Sequence, residues 1–485
     1  MSSSQSWWEA PATPPPEEGK APNLDYARLD PETVSEDAEE LLTRRVHLLG
    51  VGAIGTLVAH SLMVLPNPPP ITLLLHQAVK YDDFKAGSRI VRLVNKNTDI
   101  NDEQTGYDVD LMQGDTGRPF WRHYPHRLPK SEGGGRKNPL NEAEKMESGE
   151  VFIYTLIVTV KGPSTVAALR AVRHRIDQRT TILLMQNGMG QIDELNTEVF
   201  TDPNTRPTYM LGVISHGCYM QGPFAVVHAG FGTVALGIYR DKDKYPLPPK
   251  GNEMNTSTLS DADRKVMFPT DKDLYSNLSS RYLLRTLTRS PVLACAAYPY
   301  LDLFQLQLEK LVSNCLLNPL TALLDMQNGA MLDNPHLRRV QRLLIAEISL
   351  VIRGLPELQG IPNARMRFSP ARLETLFQGI ANKTAKNSSS MREDVRKLVK
   401  TEIDYINGYI VDRGEEQGIK CVLNYMVKHL VKARTFHDTL SLRPSLPNDD
   451  DSEPARAFRP YGAVSLNTER QGDAVVLEDR GKPAA

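Results

Sequence analysis

Apolar residues recur in two rhythms along this chain, and the change of rhythm divides it. Between residues 44 and 240 they form short uninterrupted runs of strand length: "RRVHLL", "ITLLLH" (71–76), "VFIYTLIVTV" (151–160) and "TTILLMQNG" (180–188). Stretches with helical periodicity, such as "STVAALRAVRHRI", lie between them. Strand–helix–strand alternation predicts a parallel α/β sheet. "YMLGVISHGCYMQGPFAVVHAGFGTVALG" (209–237) predicts a strand meander with turn glycines. From about 300 to 440 the strand rhythm nearly vanishes, and long runs of period 3.6 predict an all-helical second half.

Polar stretches punctuate this pattern. Residues 1–43 and 441–485 are rich in proline and acids and poor in aliphatics, so both are expected to be disordered. Residues 95–149, which include "SEGGGRKNP", and residues 241–280 read as polar surface insertions. The expected organisation is a leader (1–43), a strand-bearing domain (44–299), a helical domain (300–440) and a tail (441–485).

The first strand runs into "LLGVGAIG", which sets Gly50, Gly52 and Gly55 in G-x-G-x-x-G order between strand and helix. Gly50 permits the tight turn, Gly52 lets the backbone approach a pyrophosphate, and Gly55 allows close helix–strand packing. Gly50, Val51, Gly52, Ala53, Ile54 and Gly55 then aim unpaired N–H groups at phosphates. The 44–299 half is therefore expected to be a Rossmann-like dinucleotide-binding domain. About 20 residues on, an NAD enzyme places an acid for the ribose hydroxyls. Here stand His76, Gln77 and Lys80, with Asp82 and Asp83 only beyond them. Two cation-capable groups without an acid favour NADPH, although Lys80 alone also reads as a solvated surface lysine.

In "EKLVSNCLLNPLTALL" (309–324), Lys310, Asn314 and Asn318 recur every fourth residue in an apolar run, so they share one stripe of a helix. A solvent-facing stripe and a binding stripe both fit this spacing. Pro319 removes a backbone donor and should bend the helix just after Asn318.

These pieces resemble the ketopantoate reductase family (2-dehydropantoate 2-reductases), and more its fungal branch than its compact bacterial one. The resemblance runs through "LGVGAIG" (49–55), "VTVKGP" (158–163) with "LLMQNGMGQIDEL" (183–195), "KLVSNCLLNPLTALL" (310–324) and "SSSMREDVRKLVKTEIDYINGYIV" (388–411). It implies a Rossmann domain, an all-helical domain, and a small 2-keto acid substrate in the cleft between them. The activity implied is NADPH-dependent reduction of 2-dehydropantoate to (R)-pantoate, a step towards pantothenate and coenzyme A. By position in those motifs, Lys310 falls on the catalytic lysine and Glu402 on the active-site glutamate. Asn314, Asn318 and Ser390 fall on substrate-binding residues, and Lys161 and Asn187 on the lysine and asparagine at the ends of Rossmann strands, which implies a cofactor contact for Lys161 and contacts with both substrate and cofactor for Asn187. The family usually carries arginine at the position of His76. Gly162 and Pro163 replace its usual aromatic or glutamine, so that loop is expected to differ.

The chemistry of these residue types agrees. Hydride attack on a ketone builds negative charge on oxygen, and a lysine ammonium both stabilises that charge and gives up a proton. An apolar helix would lower the pKa of Lys310, and Glu402 would oppose the shift and aim the amine. The two amides offer neutral donors and acceptors to a carboxylate or hydroxyl. Lys161 and Asn187 follow strands, where open α/β sheets bind ligands; a peripheral phosphate contact for Lys161 and a plain "QNG" turn for Asn187 also fit. Twelve residues of straight helix between Ser390 and Glu402 would span about 18 Å and turn through about 120°. A small keto acid reaches both only if the helix breaks. Ser390–Glu393 and Thr401–Asp404 read as capping boxes, predicting a bend near 396–400 and a new helix from about 401. Ser390 also reads as a cap alone.

Totals then narrow the remaining classes. The net charge is −1, but residues 44–440 hold 49 bases and 40 acids, a net of +9. That suits an anionic ligand and is too dilute to argue for nucleic acid. Four scattered cysteines form no C-x-x-C pair, which suggests neither a zinc site nor a disulfide framework. His216 and His228 lack a paired nucleophile or acid and read as core or edge histidines. No apolar run approaches the roughly 18 residues that span a membrane, and no metal constellation appears. The acidic leader favours cytoplasmic over mitochondrial residence. Composition leaves oligomeric state open, and a homodimer is compatible with it. Two alternatives remain: a reductase of another branched 2-keto acid, and a non-catalytic cofactor-binding regulatory protein on the same fold.

Overall fold

A computed structural model describes residues 44–95, 101–114, 120–126, 151–246 and 269–441. The leader, the tail after 441, and stretches 96–100, 115–119, 127–150 and 247–268 lie outside the described residues, and with them the expected disorder of the two ends and much of the expected insertions. The strands in chain order are β1 (Val46–Leu49), β2 (Ile71–Leu75), β3 (Val91–Asn95), β4 (Asn101–Gln104), β5 (Asp108–Gln113), β6 (Phe120–Tyr124), β7 (Thr155–Val158), β8 (Thr181–Leu184), β9 (Thr208–Ile214), β10 (Gly217–Gly222), β11 (Ala225–Gly230), β12 (Val234–Ile238) and β13 (Cys295–Ala297).

Among the described residues they form a nine-stranded sheet, β13-β12-β9-β8-β7-β1-β2-β5-β6, and a four-stranded sheet, β10-β11-β3-β4. From β9 through β8, β7, β1 and β2 to β5, every neighbour in the large sheet is parallel. Both faces of these strands are covered, which is why they read as continuous apolar runs. Leu48, Ile157 and Leu183 face one cluster, while Leu49, Leu156, Val158, Ile182 and Leu184 face the other. Each such buried aliphatic side chain contributes about 1.5–3 kcal/mol. The chain leaves β1 for β2 on one side and later fills β7 on the other. That reversal opens a crevice at the carboxyl ends of β1 and β7, the usual ligand position in such sheets.

The stretch 95–149 is not a polar insertion throughout. Residues 101–124 supply β4, β5 and β6, and β5 and β6 extend the main sheet. Asp108 and Asp110 hid this strand, because charges rarely sit inside sheets. Both are buried and paired: Asp108 accepts from Arg45 at 2.5 Å and from the His126 backbone at 2.8 Å, and Asp110 accepts from Arg175 at 2.8 Å. The meander at 209–237 is split between the two sheets, with β9 and β12 in the large one and β10 and β11 in the small one. The small sheet lies against the helix Ala53–Met63, where the Thr56 hydroxyl meets the Met220 sulfur at 3.8 Å.

Beyond residue 299 the described chain is helical, as the period predicted. Helix Tyr300–Leu324 is the axis, packed by Pro335–Arg353, Pro370–Lys383, Ser390–Arg396 and Asn407–Glu415. Its start is embedded in the sheet core through Leu303, and its middle forms the helical core with Leu311, Cys315 and Leu316. The two halves thus share one long element. Helix Tyr300–Leu324 runs on through Pro319 without a break. Pro319 leaves the Cys315 carbonyl without its i+4 donor, and Asn407 Nδ2 supplies one at 3.0 Å. Among the described residues, no helix is long and apolar enough to cross a membrane.

Candidate active site

Four sequence-singled positions, with Ile214 beside them, stand at the carboxyl ends of neighbouring strands. In sheet order, Ile214 ends β9, Asn187 follows β8, Lys161 follows β7, Gly50 follows β1, and His76 follows β2. Parallel register brings these ends to one edge.

The glycine loop is built as its spacing requires. Gly50 has φ +105°, and a Cβ there would lie 2.7 Å from the Val160 nitrogen. A Cβ on Gly55 would lie 1.9 Å from the Gly50 oxygen, so the helix could not approach the strand. Gly52 is different: a Cβ there would meet nothing within 4 Å, and its φ is −77°. The protein's own packing does not call for glycine at 52, and its backbone is left open to the approach of a ligand. The exposed backbone of Gly52 opens the helix Ala53–Met63, with Val51, Ala53 and Ile54 part-exposed beside it. These residues fit a dinucleotide pyrophosphate.

His76 and Lys80 are both exposed, immediately after β2 and in the first turn of the helix Ala78–Ala86. Neither has a hydrogen-bond or ion-pair partner among the described side chains. Asp82 is exposed and faces Lys85 at 3.4 Å.

The Lys310 stripe faces inward. Lys310 Nζ crosses from the helical half and donates to the Ile214 carbonyl at 2.7 Å. Burial pushes its pKa down to about 8, against the pull of the Glu402 charge. No ion pair forms between the two, so Glu402 acts on Lys310 through its field. Asn318 is buried and Asn314 partly buried, and neither side-chain amide has a partner among the described residues. The solvent-facing alternative for this stripe does not describe the fold.

Glu402 is buried at the meeting of the two halves. The Gly162 backbone N–H donates to Oε1 at 3.1 Å, and Asn187 Nδ2 donates to Oε2 at 3.4 Å. Lys161 Nζ lies 4.0 Å from Oε2 but donates to Asp394 at 2.9 Å. Burial lowers the Lys161 pKa, but Glu402 and Asp394 outweigh it, and the amine ends above its usual value. Asp394 also titrates high, because burial outweighs the help of Lys161. Next to Glu402, Tyr405 fills the space beside the strand ends. Its ring occupies the place of a side chain at Gly162, where a Cβ would be 2.7 Å from it, and at Gly188 a Cβ would be 2.5 Å from its carbonyl. The Met189 N–H donates to that carbonyl at 2.8 Å, and the Tyr405 hydroxyl donates to Glu194 at 2.7 Å. The bare Gly162 in place of a larger residue is what admits Tyr405.

The helix breaks between Ser390 and Glu402, as the geometry required. It ends at Arg396, and Leu398 adopts φ +56°. The capping details differ from expectation. The cap is Ser389, whose hydroxyl accepts from the Arg392 N–H at 3.1 Å and bonds the Thr321 hydroxyl at 2.7 Å. Three consecutive serines leave the register open, and burial of Ser389 against Thr321 decides it. Ser390 is instead the exposed first helical residue. No helix starts at 401; a 3₁₀ turn at Ile403–Tyr405 precedes the helix Asn407–Glu415. Glu402 binds the sheet edge, so the box residue Asp404 is left to Lys428 and Lys432 at 3.3 and 2.7 Å.

Three functional-looking residues escaped the sequence reading: Asp394, Tyr405 and Asn407. Asp394 sits in "SMREDVRK", where an acid reads as part of a solvated helix face. Nothing local marks Tyr405 or Asn407: Tyr405 packs on Gly162 and Gly188, and Asn407 bonds the Cys315 carbonyl, all some 90 to 240 residues earlier in the chain. His216 and His228 are buried and bonded to each other at 3.0 Å, as core histidines. No metal-holding cluster is found among the described residues.

A glycine-loop α/β domain, joined by one long helix to a helical half that presents a depressed-pKa lysine at the sheet edge, defines a two-part oxidoreductase. The chain belongs to the ketopantoate reductase family: the profile described as "Ketopantoate reductase PanE/ApbA" matches residues 46–241, and its "C terminal" counterpart matches 302–435. A "Probable 2-dehydropantoate 2-reductase" of Schizosaccharomyces pombe is 26% identical over 396 residues, covering 81% of this chain and 97% of that protein. The "Ketoisovalerate reductase BEA2" of Gibberella fujikuroi is 24% identical over 404 residues, covering 76% of this chain and 78% of that protein. The same fold appears in a PanE/ApbA family ketopantoate reductase from Ralstonia eutropha, with TM-score 0.53 at 18% identity, covering 81% of this chain and 99% of the other.

Proposed function

We propose that this chain is an NADPH-dependent 2-dehydropantoate 2-reductase. The carrying observation is Lys310: an amine with a pKa near 8, delivered by the helical half to the carboxyl end of β9. A pKa near the working pH suits a general acid. Bound at the glycine loop, the cofactor supplies the hydride that reduces the keto carbon to an alcohol. Lys310 stabilises the charge growing on the keto oxygen and transfers its proton there. Glu402 keeps the amine protonated until that moment. Asn187, held to Glu402, lines the same edge. Asn314 and Asn318 present unpartnered amides for the substrate carboxylate or hydroxyl, and Ser390 belongs to the same set by its place in the motif. His76 and Lys80, with no acid at the end of β2, support the 2′-phosphate of NADPH over NADH, and Lys161 remains a second contact of the cofactor side.

A second reading is supported by the ketoisovalerate reductase relative: a branched 2-keto acid without a hydroxyl. Two unpartnered amides favour a substrate with one more polar group. A site built to bond a hydroxyl discriminates against an analogue lacking it by as much as about 10⁴-fold. The test is oxidation of NADPH, and of NADH in parallel, by the purified chain with 2-dehydropantoate or 2-ketoisovalerate. Turnover of 2-dehydropantoate that collapses in Lys310→Ala is expected. A preference for 2-ketoisovalerate selects the second reading, and no turnover with either acid would sink both.

A further inference from the structure

The proton-donor reading of Lys310 leaves one charge unexplained. Lys161 lies 4.0 Å from Glu402 Oε2, near enough to compete for the carboxylate that biases Lys310. Full pairing of Lys161 with Glu402 would offset the field at Lys310. The amine instead makes its close bond elsewhere, to Asp394 at 2.9 Å. Asp394 is itself buried, on the short helix Ser390–Arg396, just before the chain turns back to Glu402. A buried carboxylate with a single direct cationic partner is costly to keep, and is retained where its geometry has a use.

Building on that reading, we infer that Asp394 is a positioning residue for the proton donor: it holds the Lys161 ammonium aside and so leaves the Glu402 carboxylate free to act on Lys310. The groups facing this chain of charges are few. Glu402 receives the Gly162 N–H, the Asn187 amide and Lys161. Lys161 faces Asp394 and Glu402. Asp394 also feels Lys397 and Glu393 from its own helix, and Lys310 feels Glu402 alone. The order Asp394, Lys161, Glu402, Lys310 therefore alternates in sign, and each member's effect passes through the next.

Signs follow. In Asp394→Asn, Lys161 is released to pair with Glu402, the Lys310 ammonium loses support, and its pKa falls. In Lys161→Gln, Glu402 is left to Lys310 alone and the pKa rises. The readout is the alkaline limb of the single-turnover rate of NADPH oxidation with saturating 2-dehydropantoate. Asp394→Asn is expected to move the limb down by about one pH unit, the scale of a charge displaced by a few ångströms at an effective dielectric of about 20. Lys161→Gln moves it up, and Asp394→Asn added to Lys161→Gln moves it no further. Asp394→Glu keeps the limb where it was. Thermal midpoints of all four confirm folding. An unmoved limb in Asp394→Asn, or an equal shift with Lys161 already removed, overturns the inference and leaves the Lys310 reading standing. A limb that survives in Lys310→Ala overturns both.

Discussion

Asn407 donates its side-chain amide to the Cys315 carbonyl, the one backbone acceptor that Pro319 strips of its helical partner. The same amide reaches Asn424 Oδ1 at 3.0 Å, and Asn424 donates to Glu347 at 2.6 Å. One buried asparagine thus repairs a proline in the central helix and ties three helices together. Asn407→Leu should cost about 1–3 kcal/mol, the penalty of an unsatisfied buried acceptor. Pro319→Ala restores the missing N–H, so the same substitution should cost less in that background. Chemical denaturation of the four proteins of this cycle measures it; equal costs in both backgrounds would refute the repair.

The glycine loop separates packing from binding. Gly52→Ala meets no protein atom, so stability should stay within about 0.5 kcal/mol while cofactor affinity drops at least tenfold. Gly55→Ala drives a methyl into the Gly50 carbonyl and should lower the thermal midpoint sharply. Paired melting curves and cofactor titrations distinguish the two. A Gly52→Ala protein that binds cofactor normally would remove the pyrophosphate from this loop.

A proton donor with a pKa of about 8 fixes a direction of pH dependence. The amine is charged below that value and loses its proton as pH rises through it. The rate of keto reduction should therefore be level below about pH 7 as far as this group is concerned and decline above about 8. Lys310→Ala should lower the rate by about 10²- to 10⁴-fold and abolish the alkaline decline. An ordinary lysine would hold its proton to about 10.4, so a flat rate up to pH 9.5 speaks against a desolvated donor.

On the proposed reading, cofactor choice rests on two exposed side chains. His76→Asp places an acid at the end of β2, where it repels a 2′-phosphate and accepts from a ribose hydroxyl. The kcat/KM ratio of NADPH over NADH should fall by about tenfold or more, and Lys80→Ala should lower it further. A ratio insensitive to both substitutions moves phosphate recognition to other residues.

Much of this architecture was legible because its signals are local. The parallel strands are covered on both faces and appear as unbroken apolar runs; the glycine loop is eight contiguous residues. The break between Ser390 and Glu402 followed from helix geometry. What stayed hidden depends on distant partners. β5 carries Asp108 and Asp110, which look wrong for a strand until Arg45 and Arg175 are seen beside them. Ser389 takes the cap from Ser390 because Thr321, sixty-eight residues away, holds it. Asp394 looks like a surface acid until Lys161, from the other half, is placed at 2.9 Å.

The placement of these groups divides the work between separately encoded elements. On the proposed reading, His76 and Lys80, at one strand end, would govern which nucleotide is accepted, and Asn314 and Asn318, on a helix that begins more than 200 residues later, would govern which acid is reduced. The two pairs share no residue, although Asn187 is read as meeting both ligands. A lineage that exchanged its nucleotide would therefore keep its acid, and one that adopted a new acid would keep its nucleotide, with Tyr405 and Glu402 preserving the joint across either change.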